Sequence, residues 1–413
     1  MTRSIAKSVF GIAVAGCALP AQAQTAETAG ASAASASSDG GEWSIKPRGR
    51  LQLDLGSVTA PPLDLAANQR EAGTDTRVRR GFLGVDGTIP GGFGFRIEAD
   101  FAADPISFTD LYLFYKPSKE VTLTAGHQKR FLGLEDMTSD LFTSFQERAA
   151  FTSAFGFERG VGISAAYSGK SVLVQAGVFG DDLTALGFPS SGSAAPRDLD
   201  SSYSLDARAV YMPKLAGGQL HLGASVHYRR YKDVQSVRYR ARPFVRTTDL
   251  RFVDTRNIMG ADGELGLGLE AAYVRGRFHA TAESFWQKAL RPALASPTFN
   301  GGYAEVGYLL TNDATGYKGG AYDRIKPRSP LGKGGIGAVQ LNVRYDWLDL
   351  NDGGFIGGKQ EIAGVSLIWV PADNFRVIAD YGRIWLTDSP VRAAGGRTSY
   401  AADAFGLRAQ VDF

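Results

Sequence analysis

Apolar and polar residues alternate along most of this chain. In one stretch Val339, Leu341, Val343, Tyr345 and Trp347 are interleaved with Gln340, Asn342, Arg344 and Asp346. Successive residues of a β-strand point to opposite faces, so such a strand has one apolar and one polar face. Leu51, Leu53 and Leu55 against Gln52 and Asp54 repeat the pattern, as do Ile97, Ala99 and Phe101 against Arg96, Glu98 and Asp100. Leu220, Leu222, Ala224, Val226 and Tyr228 stand against His221, Ser225, His227 and Arg229. From Gly49 to Phe413 about sixteen such segments of roughly ten residues follow one another, the length that crosses a bilayer when tilted. Pro90-Gly91-Gly92, Ser118-Lys119, Gly169-Lys170 and Ala372-Asp373-Asn374 read as tight connections; 129–157, 180–202, 232–264 and 312–333 read as long ones. Short turns at one end and long loops at the other define the expected fold: an all-β transmembrane antiparallel barrel, lipid on its apolar face and water on its polar face.

A large soluble β-sandwich or solenoid would alternate too. Two features oppose it. Aromatic residues recur at strand ends, among them Phe114, Tyr115, Tyr273, Trp347, Trp369 and Trp385, as interfacial girdles require. The chain also ends on an alternating strand, Phe405, Leu407, Ala409, Val411 and Phe413, the terminal pattern that outer-membrane barrels share as a group. The expected location is the outer membrane of a Gram-negative bacterium, with membrane lipid and lipopolysaccharide as neighbours.

Composition agrees. The 413 residues include 51 glycines and 11% aromatics, a mixture poor for helices. No stretch after the N-terminus is apolar for long enough to make a spanning helix. The N-terminus reads as an address. Arg3 and Lys7 precede an apolar run from Ser8 to Leu19, and Ala21-Gln22-Ala23 forms an A-x-A cleavage signal. Val14-Ala15-Gly16-Cys17 offers a rival, a lipoprotein box. The expected organisation is a signal peptide over 1–23, an Ala/Ser-rich flexible leader over 24–42, and one barrel domain over 43–413. Cys17 is the only cysteine, so disulfides and thiolate metal sites are excluded from the mature chain. The four histidines form no HxxxH or HExxH pair. Neither a cofactor nor nucleic acid is expected.

The chemistry concentrates at 238–256. Arg238, Arg240 and Arg242 stand at i, i+2 and i+4, on one face of an extended chain, and Arg246, Arg251 and Arg256 continue the series against only Asp249 and Asp254. Pro243 interrupts any strand there. Arginine forks suit phosphate and carboxylate oxygens, and rows of them are how anion pores select. The alternative is an exposed outer loop contacting lipopolysaccharide phosphates. The segment 129–159 is too long for a turn and too apolar for a free loop. It reads as a constriction loop folded into the lumen, with Lys129, Arg130, Glu135, Asp136 and Arg148 as its charged members; a self-packed extracellular lid is the other reading.

These residues resemble the phosphate-selective porins O and P over roughly 45–413. The resemblance rests on Gly49 to Gln52, the pair Arg79-Arg80, Leu132-Gly133-Leu134-Glu135 with Thr138-Ser139 and Glu147-Arg148, Tyr308-Leu309-Leu310-Thr311, Tyr317-Lys318, Ile325-Lys326-Pro327, Arg344-Tyr345, and the closing Gly-Leu-Arg…Phe. It implies a sixteen-stranded homotrimeric barrel in which an arginine ladder guides phosphate. Arg238, Arg240, Arg242 and Arg246 match the ladder's spacing; Arg79, Arg80 and Arg50 match other ladder positions; Lys318 and Lys326 match lysines of an electropositive sink. The chain departs from the pattern at Asp136, where phosphate-specific members carry lysine. The expected function is passive diffusion of small anions, phosphate or polyphosphate foremost, without catalysis. Two alternatives remain: a general, weakly selective pore, and a barrel hydrolase, for which His221 and His227 lack a serine motif.

Overall fold

A computed structural model of the chain describes residues 43–65, 72–103, 106–156, 159–183 and 202–413. The segments expected as signal peptide and leader, 1–23 and 24–42, lie outside them. Sixteen antiparallel strands close into a barrel. They are β1 (Ser44–Thr59), β2 (Thr74–Ile89), β3 (Phe93–Asp100), β4 (Ser107–Tyr115), β5 (Val121–Lys129), β6 (Arg159–Ser168), β7 (Val172–Phe179), β8 (Tyr203–Tyr211), β9 (Gly218–Val237), β10 (Ile258–Arg275), β11 (Phe278–Leu290), β12 (Thr298–Leu309), β13 (Ala338–Asp352), β14 (Phe355–Ala372), β15 (Phe375–Thr387) and β16 (Tyr400–Asp412). Closure pairs β1 with β16, from Arg50 opposite Asp412 to Thr59 opposite Asp403. Closure leaves no sheet edge.

The two faces fall where the alternation puts them. On β13, Gln340, Asn342, Arg344 and Asp346 are buried toward the lumen, while Leu341, Val343 and Tyr345 are exposed on the outside. Leu51, Leu53, Leu367, Leu407 and Val411 extend that outer apolar band. A one-residue slip would turn every polar side chain to lipid, so each register is strongly specified. Trp369 fixes its ring at the band's rim by donating its indole N–H to the carbonyl of Ile336 at 2.7 Å. Phe93 and Tyr115 stack there at 4.5 Å.

One connection departs from the expected asymmetry. The segment after Leu309 joins β12 to β13, so it lies at the short-turn end, with the chain ends of the barrel, and not among the long loops. It is long because it folds inward as a hairpin, Gly316–Lys318 against Ala321–Asp323. Tyr317 meets His221 Nδ1 at 2.5 Å, and Arg208 donates to the carbonyl of Gly320 at 2.9 Å. The loop expected over 232–264 is also shorter, because β9 continues to Val237 and β10 begins at Ile258.

The segment between β5 and β6 enters the lumen, as expected. It carries two short helices, α1 (Leu134–Met137) and α2 (Ala150–Ala154), and buries Leu134, Phe145 and Phe151. Its backbone is held by charges on the wall. Glu283 accepts from the amides of Leu134 and Glu135, both at 2.7 Å. Asp380 accepts from Gln146 N at 2.7 Å, and Asp346 from Ala150 N at 2.8 Å. In return Arg408 donates to the carbonyl of Gln146 at 2.6 Å, and Arg376 to that of Leu141 at 2.8 Å. Loop backbone in a lumen needs such partners, because an unpaired buried amide costs about 1–3 kcal/mol.

Candidate functional site

Above the inserted loop a cavity of about 630 Å³ opens toward the long-loop end. Its wall draws on the middle of β2, the adjoining ends of β3, β4 and β5, the loop between β5 and β6, the start of β6 and the loop between β9 and β10, with single residues from the loop after β7 and from β13 and β14. Nine arginines line it, namely Arg79, Arg80, Arg148, Arg159, Arg238, Arg240, Arg242, Arg246 and Arg251, against six carboxylates, Asp100, Asp136, Asp140, Glu147, Asp182 and Asp346. Seven of the ten positions expected to bind anions therefore share one chamber, together with Arg148 and Asp136 of the constriction loop.

The expected i, i+2, i+4 face exists. Arg240–Ala241 pairs with Val253–Asp254 as a short antiparallel ladder. Tyr239 and Ala241 point into the apolar packing while Arg238, Arg240 and Arg242 turn to the cavity. Past Pro243 the row continues as loop. That loop lies across the barrel mouth: Phe252 accepts from Ser389 Oγ at 2.7 Å, and Arg246 accepts through its carbonyl from Arg77 at 3.4 Å.

Pairing divides these cations. Arg79 is clamped by Glu147 at 2.7 and 3.2 Å. Arg80 meets Asp140 at 2.5 Å, and Arg238 meets Asp254 at 2.7 Å. Arg242 donates to Asp249 at 2.9 Å and to the Thr248 carbonyl at 3.0 Å. Among the described residues Arg251 reaches two carbonyls of its own loop, both at 3.4 Å. Arg240 and Arg246 have no carboxylate partner among the described residues. Burial and then the charge of Arg79 pull the Arg246 guanidinium down to about 10. Burial and then Arg242 do the same to Arg251. The charged forms are held at a cost, and an anion between them would remove it.

The remaining expected residues are elsewhere. Arg50 is buried below the chamber, on Glu98 at 3.2 Å and on Asp140, with its guanidinium over Phe82 at 4.7 Å. Arg130 is buried against the carbonyl of Gly180 at 3.1 Å. Lys318 and Lys326 are exposed on the inward-folding segment of the turn end, at the opposite mouth from the ladder. Glu135 is structural: it accepts from Ala149 N at 2.8 Å and from Arg344 at 2.6 Å. Asp136 does line the chamber, but with Arg148 at 4.0 Å and with Lys129 donating to its carbonyl. Arg344 and Arg408 do not pair with Asp346 and Asp412. They bind Glu135 and Glu305, and Asp54 and Glu147, respectively.

Sequence reasoning missed the acids that hold the loop, Glu283, Asp346 and Asp380. A usable signal existed: each is a carboxylate at mid-strand on the inward parity, where only a partner or water can keep it charged. The hydrolase alternative finds no support in the geometry. His227 Nδ1 meets Asp206 at 2.6 Å, and Ser204 Oγ donates to the same carboxylate at 2.6 Å, so the hydroxyl and imidazole flank an acid instead of facing each other.

A closed transmembrane barrel with a polar lumen, narrowed by an inserted loop, is a porin: a channel of the Gram-negative outer membrane and not an enzyme. Among porins, the chain belongs to the family of phosphate-selective porins O and P, whose model matches residues 45–413. An uncharacterised protein of Caulobacter vibrioides is 42% identical over 376 residues, 90% of this chain and 75% of that one. Solved structures show the fold. OmpT of Vibrio cholerae aligns at TM-score 0.56 and 13% identity, covering 90% of this chain and 98% of that one. The anion-selective porin from Comamonas acidovorans aligns at TM-score 0.55 and 12% identity, covering 90% and 100%.

Proposed function

We propose that this porin passes small inorganic anions by passive diffusion, phosphate or polyphosphate foremost, and that capture occurs in the vestibule. The observation that carries the reading is the set of guanidiniums in no ion pair among the described residues, Arg240, Arg246 and Arg251, in a wall whose described residues include nine arginines and six acids. Arg238 and Arg242 extend the row toward the mouth. Arg79, Arg80 and Arg148 lead toward the constriction, with Arg50 beneath, and Lys318 and Lys326 draw anions out at the turn end. A converging positive wall of low polarisability raises local anion concentration, and binding weak enough to release sustains flux. The anion-selective likeness in Comamonas acidovorans fits this reading.

The second reading, a weakly selective pore, has its own observation. Arg79, Arg80 and Arg50 are already engaged by Glu147, Asp140 and Glu98, which leaves less charge for solute at the constriction. We infer a homotrimer. Strands β3 to β8, at 8–10 residues each, are the shortest of the wall and stand at the lower end of what crosses a bilayer when tilted. Other copies would cover that short side, while lipid and lipopolysaccharide meet the long one. Export rests on cleavage after Ala23.

The test is the reversal potential of purified protein in a planar bilayer under a KCl gradient, followed by phosphate addition. Anion selectivity with chloride current blocked by phosphate supports the phosphate reading. Anion selectivity without block selects the weakly selective pore. Cation selectivity overturns both.

A further inference from the structure

The arginine loop crosses the mouth on one unusual residue. Phe244 has φ 63°, a left-handed backbone that costs a non-glycine residue on the order of 1 kcal/mol or more. Something must over-determine it. Its ring lies on two glycines of the far wall, Gly364 on β14 and Gly382 on β15, which are direct cross-strand partners. A Cβ at Gly382 would sit 2.8 Å from that ring, and one at Gly364 would sit 2.9 Å from it. The ring also meets Phe145 of the constriction loop edge-on at 5.7 Å. Phe145 in turn lies under the Arg344 guanidinium at 4.5 Å. Two more inward glycines continue the trough: Gly406 on β16 under Gln146, and Gly56 on β1 under Thr247. Gly56 and Gly406 are likewise cross-strand partners. Four adjacent strands are thus shallow where two loops lie; Phe244 touches both the trough and the other loop, and Phe145 answers it from the constriction loop, also over Gly364.

We propose that Phe244 is the positioning residue of the anion pathway. Seated on Gly364 and Gly382, it holds the loop from Arg238 to Arg256 inside the mouth, so that Arg242 and Arg246, two residues to either side, face the vestibule instead of solvent. It bears no charge and touches no solute. The role rests on the reading that the vestibule arginines capture anions. In physical terms it is preorganisation: the anchor removes the ordering cost that each passing anion would otherwise meet.

Two readouts separate the anchor from the anion reading. The barrel from residue 43 onward has no cysteine, so Thr247→Cys, buried in the native loop, reports loop position through its reaction rate with a bulky water-soluble maleimide. Half-block of chloride current by inorganic phosphate reports capture. Phe244→Ala is expected to raise labelling and to weaken half-block by about tenfold, the scale of one charge-assisted contact. Phe244→Leu, which keeps an apolar group on the glycines, should recover most of that loss. Gly382→Ala should reproduce the defect in the native background and add nothing to Phe244→Ala; this also covers the case in which Phe244→Ala fails to fold. Unchanged labelling overturns the anchor. Raised labelling with unchanged half-block overturns it as a positioning residue if Arg246→Gln does weaken block. If Arg246→Gln is equally silent, the anion reading has failed and the anchor has not.

Discussion

Two of the loops that enter this barrel, the constriction loop and the arginine loop, are held by different means. The constriction loop is tied through its backbone to wall charges: Glu283, Asp346 and Asp380 take its amides, and Arg376 and Arg408 serve its carbonyls. The arginine loop has two carbonyls served from the wall, by Ser389 and Arg77, and otherwise rests on an aromatic ring over glycines and on Thr247 over Gly56. The first loop's own charges are consumed inside the fold, as Glu135 shows with Arg344 and Glu147 with Arg79 and Arg408. The second keeps Arg240 and Arg246 out of any ion pair among the described residues. A charge that holds a loop is not available to a solute, so a pore that must present cations gains by anchoring them with apolar contacts.

The largest effect is expected from Arg344→Met. It strands Glu135 and Glu305, both nearly inaccessible, and removing one partner of a buried pair costs about 3–5 kcal/mol. We expect a barrel that unfolds at clearly lower temperature by loss of β-sheet circular dichroism, with larger and noisier single-channel conductance from a loosened loop. Unchanged stability would mean that the loop does not depend on its ionic ties.

Next in size is the triple replacement Arg240→Gln, Arg246→Gln and Arg251→Gln. These guanidiniums are not in carboxylate pairs, so the fold should survive with unchanged stability. Each charge-assisted contact to an anion is worth about 1.5–3 kcal/mol. Phosphate half-block should weaken by at least about a hundredfold and the reversal potential should move toward zero. Stable protein with unaltered selectivity would place capture elsewhere.

Glu147→Gln sharpens the contrast from the other side. Its carboxylate holds Arg79 at 2.7 Å and Arg408 at 3.1 Å. Freeing Arg79 adds a cation to the chamber, so phosphate should block a few-fold more tightly, on the order of 1 kcal/mol. Weaker block would show that Glu147 orients Arg79 more than it neutralises it.

Most of the barrel was legible because a period of two is imposed by lipid on one side and water on the other. That is why Arg344 and Asp346 could be assigned to the lumen, and why Arg238, Arg240 and Arg242 could be assigned to one face. Partners were not legible. Arg344 has Asp346 two residues away but binds Glu135, 209 residues distant, because the loop arrives from another part of the chain. The end at which a loop emerges was misjudged for 312–333, since length was used where parity of strand count was needed. Phe244 carried no signal: a left-handed phenylalanine is specified by the glycines that it meets across the lumen.

The smallest effect is the one that the sequence made look largest. By the family resemblance Asp136 stands where lysine is expected in a phosphate-specific pore, and an isolated carboxylate at that point would repel anions. It is not isolated. Arg148 Nη1 lies 4.0 Å from its Oδ1, and the Lys129 ammonium is bound to its carbonyl. A carboxylate flanked by two cations belongs to a cluster of net positive charge, so a distant ion meets a weakly positive site and not a lone negative one. Arg148 is meanwhile fixed to the carbonyls of Glu135 at 3.0 Å and Thr138 at 2.9 Å, so neutralising Asp136 would not release it. Asp136→Asn should therefore change the anion-to-cation permeability ratio by less than about twofold, toward anions. Asp136→Lys changes the charge by two units and should do more. A rise of fivefold or greater for Asp136→Asn would make this carboxylate the selectivity filter and would move the decisive step from the mouth to the constriction.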